Sequence, residues 1–225
     1  MTVSGTLERQ PRSRRKRFTL MAAVLFGLSA CSGLLPGGGP PPNLYTLSPK
    51  TTFSEDLPNV SWQLVVEEPS AAGGLATQSI ALRTNLLELQ YFAGSRWTEG
   101  APRLVQTLLV ESFENTGKIV AVGRQSIGLR SDFNLKSELR EFQAEYLNGA
   151  NAAPSVRVRL NAKIIKQPRR EIMASKNFEA VFPARNASME AIIEAFDEAL
   201  GKVLKRLVEW TLTTANTRPP RVRSQ

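Results

Sequence analysis

The clearest fold signal in this sequence is the stretch Val156-Arg157-Val158-Arg159-Leu160-Asn161-Ala162-Lys163-Ile164. Apolar side chains alternate here with charged or polar ones, and successive side chains of a strand point to opposite faces of a sheet. The stretch therefore predicts a strand with one buried face and one face in water. The residues from Glu171 to Phe182 repeat the pattern, and Arg169-Arg170 between the two stretches marks a hairpin bend.

Further strands are predicted on the N-terminal side of this pair. Residues 139–146 alternate in the same way, and a shift of the pattern near Arg140 indicates a β-bulge. Four shorter apolar stretches are also predicted to be strands, namely residues 61–67, 80–83, 87–93 and 119–122.

Two amphipathic helices complete the pattern. The first begins at Pro102, since the first turn of a helix tolerates proline, and ends before Gly117, which fits a C-terminal cap. The second begins at Met189, is capped by Asn186 or Ser188, and carries an apolar stripe as far as Trp210. This order predicts an α/β fold, with α+β as the alternative: a layered sandwich in which two long helices pack on a mixed β-sheet.

The N-terminus has the organisation of a secretory signal. A group of basic residues comes first, comprising Arg9, Arg12, Arg14, Arg15, Lys16 and Arg17. The apolar run from Phe18 to Ala30 follows, and it is shorter than the about 20 residues that a membrane-spanning helix needs. It ends in Leu28-Ser29-Ala30-Cys31, which contains the single cysteine of the chain and resembles the lipobox of bacterial lipoproteins.

The lipobox resemblance implies a lipid anchor on Cys31. The thiol would receive a diacylglycerol, residues 1–30 would be cleaved off, and the new amine would receive a further acyl chain such as palmitate. Each buried methylene contributes about 0.8 kcal/mol, so three chains would hold the protein on a membrane. Ser32, rather than Asp, follows the cysteine, which implies the outer membrane, with the inner membrane as the alternative. A coincidental cysteine in an ordinary secreted protein is the other interpretation.

The mature chain is predicted to have three parts. Residues 31–43 form a tether, in which Gly37-Gly38-Gly39 precedes Pro40-Pro41-Pro42. Residues 44–215 form a single periplasmic domain, and residues 216–225 form a basic disordered tail. No phosphate-binding motif follows the glycines.

The net charge of +9 does not indicate nucleic-acid binding. Nine of the 29 Lys and Arg residues lie in the segments 1–30 and 216–225, as does one of the 20 acidic residues. The remaining body, residues 31–215, carries 20 basic and 19 acidic side chains. We therefore expect no nucleic-acid partner.

The composition argues against an enzyme. The chain has no histidine, which excludes triads that use histidine and the usual zinc motifs, and its one cysteine is assigned to lipidation. The carboxylate pairs Glu67-Glu68 and Asp197-Glu198 are neighbours in sequence, so their side chains diverge. We predict no catalytic residue, no metal site and no cofactor other than the acyl chains on Cys31.

A series of short motifs follows the lipobox in the order Tyr45-Thr46-Leu47, Ile80-Ala81-Leu82-Arg83, Tyr91 to Trp97, Leu129-Arg130-Ser131-Asp132-Phe133-Asn134-Leu135, Leu139, Phe142 and a helix ending near Trp210. This series resembles one known family, the auxiliary lipoprotein components of ABC-type transporters that work with mammalian-cell-entry (MCE) domain proteins. The resemblance implies a Gram-negative envelope, an α/β/α layered fold, and a part in moving phospholipids or other apolar molecules between membranes. It also implies an MCE-domain partner and, in some members, a homo-oligomer.

Three residues are weak candidates for a partner interface. Trp97 precedes the first helix and is expected to be half exposed. Asp132 is expected to organise its turn, in a loop that could meet the partner. Tyr45 is expected to fasten the first strand, with partner binding as the alternative. Two other functions stay open at this point: a structural envelope lipoprotein without a transport role, and a carrier that binds lipid directly.

Overall fold

The computed structural model describes residues 1–2, 40–124, 130–147, 149 and 152–216. The chain divides into two compact units, Met1–Pro41 and Pro42–Gln225, and the elements described below belong to the second. Its strands are β1 (Asn43–Tyr45), β2 (Val60–Val66), β3 (Ser70–Ala71), β4 (Ser79–Asn85), β5 (Glu88–Trp97), β6 (Ile119–Arg124), β7 (Phe133–Glu145), β8 (Ser155–Lys166) and β9 (Glu171–Pro183). Its helices are α1 (Ala101–Glu114) and α2 (Met189–Asn216).

The strands form one open, mixed sheet with β7 at its centre. Along one edge β7 pairs in parallel with β2, then β3, then β4, and along the other edge it pairs antiparallel with β8. β9 follows β8, β6 follows β2, and β5 and β1 follow β4. The prediction of an α/β fold with a mixed sheet and two long helices is confirmed.

Both helices lie on the same face of the sheet. Leu64 and Val66 of β2 are in register with Phe133 and Leu135 of β7, so their side chains share one face. α1 packs on β2 and β6, α2 packs on β8 and β9, and the two helices contact each other. The three-layered α/β/α arrangement implied by the family resemblance is therefore wrong for the described residues, because one helical layer covers one face.

The opposite face of the sheet carries a charged layer. Arg157 of β8 contacts Glu145 of β7 at 3.1 Å and also pairs with Glu179 of β9. Arg159 contacts Glu141 at 2.8 Å. This face is the polar side of the alternation that begins at Val156, and cross-strand charge pairs of this kind support the pairing of neighbouring strands.

Most predicted element boundaries agree with the structure. The bulge at Arg140 is confirmed by a register shift between Leu139 and Glu141, and Arg170 in the β8–β9 turn has a positive φ of 57°. Gly117, just beyond α1, has a φ of 60°, which suits glycine at a helix end. At the start of α2, Ser188 accepts a hydrogen bond from the backbone N–H of Ala191.

Three boundaries were predicted wrongly. β7 begins at Phe133 rather than at residue 139, β5 continues to Trp97, and α2 continues to Asn216. The predicted signal peptide and most of the tether and tail lie outside the described residues. Among the described residues, no helix combines the length and the apolar character that a membrane crossing requires.

Candidate functional site

The predicted lipidation site, Cys31, and the preceding Leu28, Ser29 and Ala30 lie outside the described residues. Lipidation therefore stays a prediction. The part of the site that can be built from the structure is the segment of residues 40–57, by which the N-terminal region joins the domain. We call this segment the anchor junction.

The anchor junction first joins the edge of the sheet. β1 pairs in parallel with the end of β5, with Tyr45 beside Trp97. The carbonyl of Tyr45 accepts a hydrogen bond of 2.9 Å from the N–H of Thr98. The Tyr45 side chain is partly buried against the core. These contacts fasten the first strand to the sheet edge, and partner binding by Tyr45 stays a prediction.

Beyond β1 the chain crosses both helices. The N–H of Ser48 donates to the Asp197 carboxylate of α2 at 2.6 Å, and the N–H of Lys50 donates to Ser112 Oγ of α1 at 2.9 Å. Leu47 and Leu57 near the two ends of this crossing are buried in the core. We call residues 46–57 the strap, because they fasten the N-terminal region to the helix pair.

The far half of the strap is held by a second carboxylate of α2, that of Glu209. Ser54 donates to it through both its backbone N–H, at 2.9 Å, and its hydroxyl, at 3.0 Å. Partial burial opposes ionisation of Glu209, but the hydrogen bonds from Lys205 and Ser54 outweigh that effect and lower the pKa of this carboxyl. The strap is thus held by a charged acceptor at neutral pH.

Trp97 lies at the centre of the core. Its side chain is fully buried, and its ring centroid lies 5.4 Å from that of Phe142 and 5.1 Å from that of Phe196. The expectation that Trp97 is half exposed is wrong, because β5 carries the residue beneath α2. A buried indole offers no surface to a partner.

The other two tryptophans are partly buried in aromatic contacts. Trp62 meets Phe133 edge to face with centroids 5.2 Å apart, and Trp210 meets Phe178 at 5.4 Å. Both contacts belong to the packing of the helices and strands.

Asp132 joins three segments. Its Oδ2 accepts a 2.8 Å hydrogen bond from the N–H of Gln63, and its own N–H donates to the carbonyl of Gln63 at 3.0 Å. Its carbonyl accepts from the N–H of Gln167 in the β8–β9 turn at 2.8 Å. Asp132 therefore organises more than its own turn, since it links β2 and the β8–β9 turn to the start of β7.

An open polar cleft of about 740 Å³ lies beside Asp132. Side chains that line it include Gln63, Val65, Arg130, Asp132, Asn134 and Arg170. Among the described residues, neither Arg130 nor Arg170 forms an ion pair. Two free guanidinium groups suit a carboxylate or another anionic group on a partner, whereas the polar walls do not suit an acyl chain.

Within the described ranges, no three or more His, Cys, Asp or Glu side chains are grouped so that they could hold a metal ion. The candidate site thus comprises the anchor junction and the polar cleft beside Asp132.

The family model described as "ABC-type transport auxiliary lipoprotein component" matches residues 45–208. The chain belongs to this family. The match begins at Tyr45, where the anchor junction enters the sheet, and ends within α2. The family match therefore covers strands β2 to β9, helix α1 and helix α2 as far as residue 208.

Two solved structures and one curated relative are similar to this auxiliary lipoprotein. The crystal structure of protein XCC0632 from Xanthomonas campestris is 34% identical, with a TM-score of 0.72 over 77% of this chain and 96% of that one. A crystal structure of an uncharacterized protein has a TM-score of 0.60 at 14% identity over 75% of this chain and 97% of that one, which supports the fold alone. The uncharacterized protein bll6063 of Bradyrhizobium diazoefficiens is 28% identical over 84% of this chain.

This auxiliary lipoprotein spans about half of the length of that curated relative, 49%. The family description supports a membrane-anchored location in the cell envelope and an association with an ABC-type transporter. It describes an auxiliary component of transport.

Proposed function

We propose that this auxiliary lipoprotein docks the periplasmic MCE-domain part of an ABC-type transporter to a membrane, and that the transporter moves phospholipids or other apolar molecules across the envelope. The anchor is the lipidated Cys31, and the membrane is the outer membrane. The observation that carries the proposal is the family match over residues 45–208, which begins at the junction that connects the domain to the predicted anchor.

The anchor junction supports a docking role because it is connected to the sheet and to both helices. β1 extends the sheet, and the strap is hydrogen-bonded to α1 through Ser112 and to α2 through Asp197 and Glu209. A pull on the tether would act on the sheet and on both helices at once. The folded domain would therefore bear this pull as a whole.

The packing between helices and sheet favours docking over carriage of a lipid. Trp97, Phe113, Phe142 and Phe196 are fully buried between the layers. Protein interiors are packed to crystal-like density, and an acyl chain needs an apolar cavity of several hundred cubic ångströms. The interior between the layers is occupied by the protein's own side chains, so a carrier function would require them to move.

The polar cleft beside Asp132 is the surface that we propose for the MCE-domain partner. Arg130 and Arg170 are exposed at its rim and would pair with acidic side chains of that protein. Rim charges of this kind mainly set the rate and orientation of association.

The test is affinity purification of the full chain, with a C-terminal tag, from the envelope of its native host in a gentle detergent. We expect an MCE-domain protein and its permease and ATPase to co-purify, and we expect Arg130→Glu with Arg170→Glu to reduce their yield. Arg103→Glu, which changes an exposed arginine on α1, is the matched control.

Repeated recovery of the tagged protein without any MCE-domain protein would contradict the proposal. A deletion strain with intact lipid asymmetry but a weakened cell wall would instead support a structural lipoprotein. Lipid that co-purifies in stoichiometric amount, detected by native mass spectrometry, would support a carrier.

A further inference from the structure

The hairpin of β4 and β5 ends in two exposed leucines. The pairing of Asn85 with Glu88 leaves Leu86 and Leu87 as the two residues of the turn. Leu86 is 73% exposed and Leu87 is 100% exposed. Neither leucine has a positive φ, so the backbone of the turn accepts them without strain, and the unusual feature is the apolar surface that they expose at its end.

Polar contacts hold this turn in place from beneath. Asn85 Oδ1 accepts a 2.9 Å hydrogen bond from the N–H of Leu87, and Asn85 Nδ2 donates to Glu88 Oε2 at 3.2 Å. Gln90 donates to the other oxygen of Glu88 at 2.7 Å. Because the neighbouring side chains bind each other, the leucines point outward from a formed turn instead of folding back onto the strands.

The base of the hairpin is fixed to the domain. The hydroxyl of Tyr91 donates to the carbonyl of Gly74 at 3.0 Å, and Phe92 contacts the ring of Tyr146 with centroids 6.4 Å apart. The tip is therefore presented by a supported structure, and its binding would cost little conformational entropy.

The anchor junction joins the sheet within one strand length of this tip. β1 is parallel to β5 and pairs with Ser95, Arg96 and Trp97 at the far end of β5, seven residues or about 23 Å from Glu88 at ~3.3 Å per residue. β4 and β7 are parallel, and both end on the tip side, where Leu147 is 52% exposed. Residues 32–43 can span roughly 35–40 Å at ~3.1 Å per residue.

We propose that the Leu86-Leu87 tip inserts into the lipid bilayer that holds the acylated N-terminus. The inference rests on the proposed lipid anchor and adds a second, non-covalent contact that orients the domain. The tether keeps the tip within reach of the bilayer surface, which gives a high effective concentration for a contact that would be weak by itself.

A bilayer fits this tip better than a protein surface does. Two side chains at the end of a narrow hairpin cover far less than the about 1,200–2,000 Å² that a stable protein interface buries. Insertion of apolar side chains into a bilayer needs no shaped partner pocket. The charged groups beside the tip, Arg83 and Glu88, balance each other, so we expect insertion to depend little on anionic lipid.

The test uses the processed full-length lipoprotein in vesicles of phosphatidylethanolamine and phosphatidylglycerol. Cys31 is the single cysteine of the chain and is acylated in the mature protein, so Leu87→Cys supplies one reactive thiol for an environment-sensitive fluorophore. We expect a blue shift of its emission, loss of fluorescence with brominated lipids, and protection from aqueous iodide.

Val120→Cys is the matched control. Val120 is 69% exposed and lies beside the start of β2, at the end of the sheet away from the tip, and β7, whose 13 residues lie between these two ends, spans about 40 Å at about 3.3 Å per residue. The probe at this position should be quenched by iodide and not by brominated lipid. At each position, vesicles without phosphatidylglycerol should give the same result as vesicles that contain it.

Equal behaviour of the two probes, or quenching of the Leu87→Cys probe by iodide alone, would overturn the inference. Intact-mass analysis of the same preparations reports lipidation separately. A lipidated protein with an aqueous tip contradicts the insertion and leaves the proposed function standing, whereas a protein without acyl chains contradicts the anchor itself.

Discussion

Single residues show where sequence patterns stop being informative. Trp97 follows Gly94-Ser95-Arg96, which reads as a loop before a helix. In the structure Gly94 has a φ of 67°, and the strand continues with Ser95 and Trp97 buried. The positive φ belongs to an irregularity in β5 that no periodicity reveals, so the burial of Trp97 could not be predicted. The role of Asp132 was predicted only in part, because Gln63 and Gln167 are distant in sequence.

We expect Phe196→Ala to lower the free energy of unfolding by about 3–5 kcal/mol. Phe196 is fully buried and contacts both Trp97 and Phe142, so the truncation leaves a cavity in the aromatic centre of the core. Urea unfolding of the domain measures the loss. Val120→Ala, at an exposed site, should change the midpoint little. An unchanged midpoint for Phe196→Ala would show that α2 does not seal the core.

Asp132→Ala should lower the free energy of unfolding by about 1 kcal/mol, because the N–H of Gln63 loses its side-chain acceptor. Asp132→Asn keeps an acceptor oxygen at that position and should recover most of the loss. Urea unfolding of the two variants side by side makes the comparison. If the asparagine and alanine variants are equally destabilised, the charge of Asp132 matters more than its hydrogen bond.

Among the helices and strands, those with a clear period were predicted and those without one were missed. β8, β9 and α2 carry long alternating or helical patterns. β1 and β3 have three and two residues, too few to show alternation. The strap has no regular structure, and its contacts with α1 and α2 span long sequence separations. The strap could not be predicted from the sequence because only tertiary contacts define it.

The hydrogen bonds between Ser54 of the strap and Glu209 of α2 should weaken in acid. The pKa of Glu209 is lowered in the folded protein from its ordinary value of 4.5, so its stabilising effect is fully present above that value and is lost as the pH falls through the folded pKa. We expect Glu209→Gln to destabilise the domain at pH 7 and the difference from the native protein to be smaller at an acidic pH below 4.5.

Urea unfolding at both pH values measures the effect of Glu209→Gln. Glu198→Gln, which changes an exposed carboxylate of the same helix, is the control and should show no such dependence on pH. A difference for Glu209→Gln that is constant from neutral to acid pH would mean that the strap is not held by the charged form.

The domain that the structure describes is a sheet with one helical face and one charged face, and the anchor junction joins an edge of this sheet through β1. The fold class followed from sequence because the patterns of β8, β9 and both helices allow few arrangements. The place where the anchor junction joins the sheet did not follow from sequence, since it depends on the pairing of β1 with Ser95, Arg96 and Trp97 of β5. The exposed Leu86-Leu87 tip lies at the other end of β5.

The most direct test of a membrane-bound domain is the intact mass of the protein isolated from the envelope of its native host. We predict a chain that starts at Cys31 and carries a diacylglyceryl group on sulfur and an acyl chain on the N-terminal amine. Cys31→Ser should leave the domain folded, with an unchanged urea midpoint, and release it from the membrane fraction. A native protein with a free thiol at Cys31, or one that keeps residues 1–30, would contradict the lipid anchor and the docking role built on it.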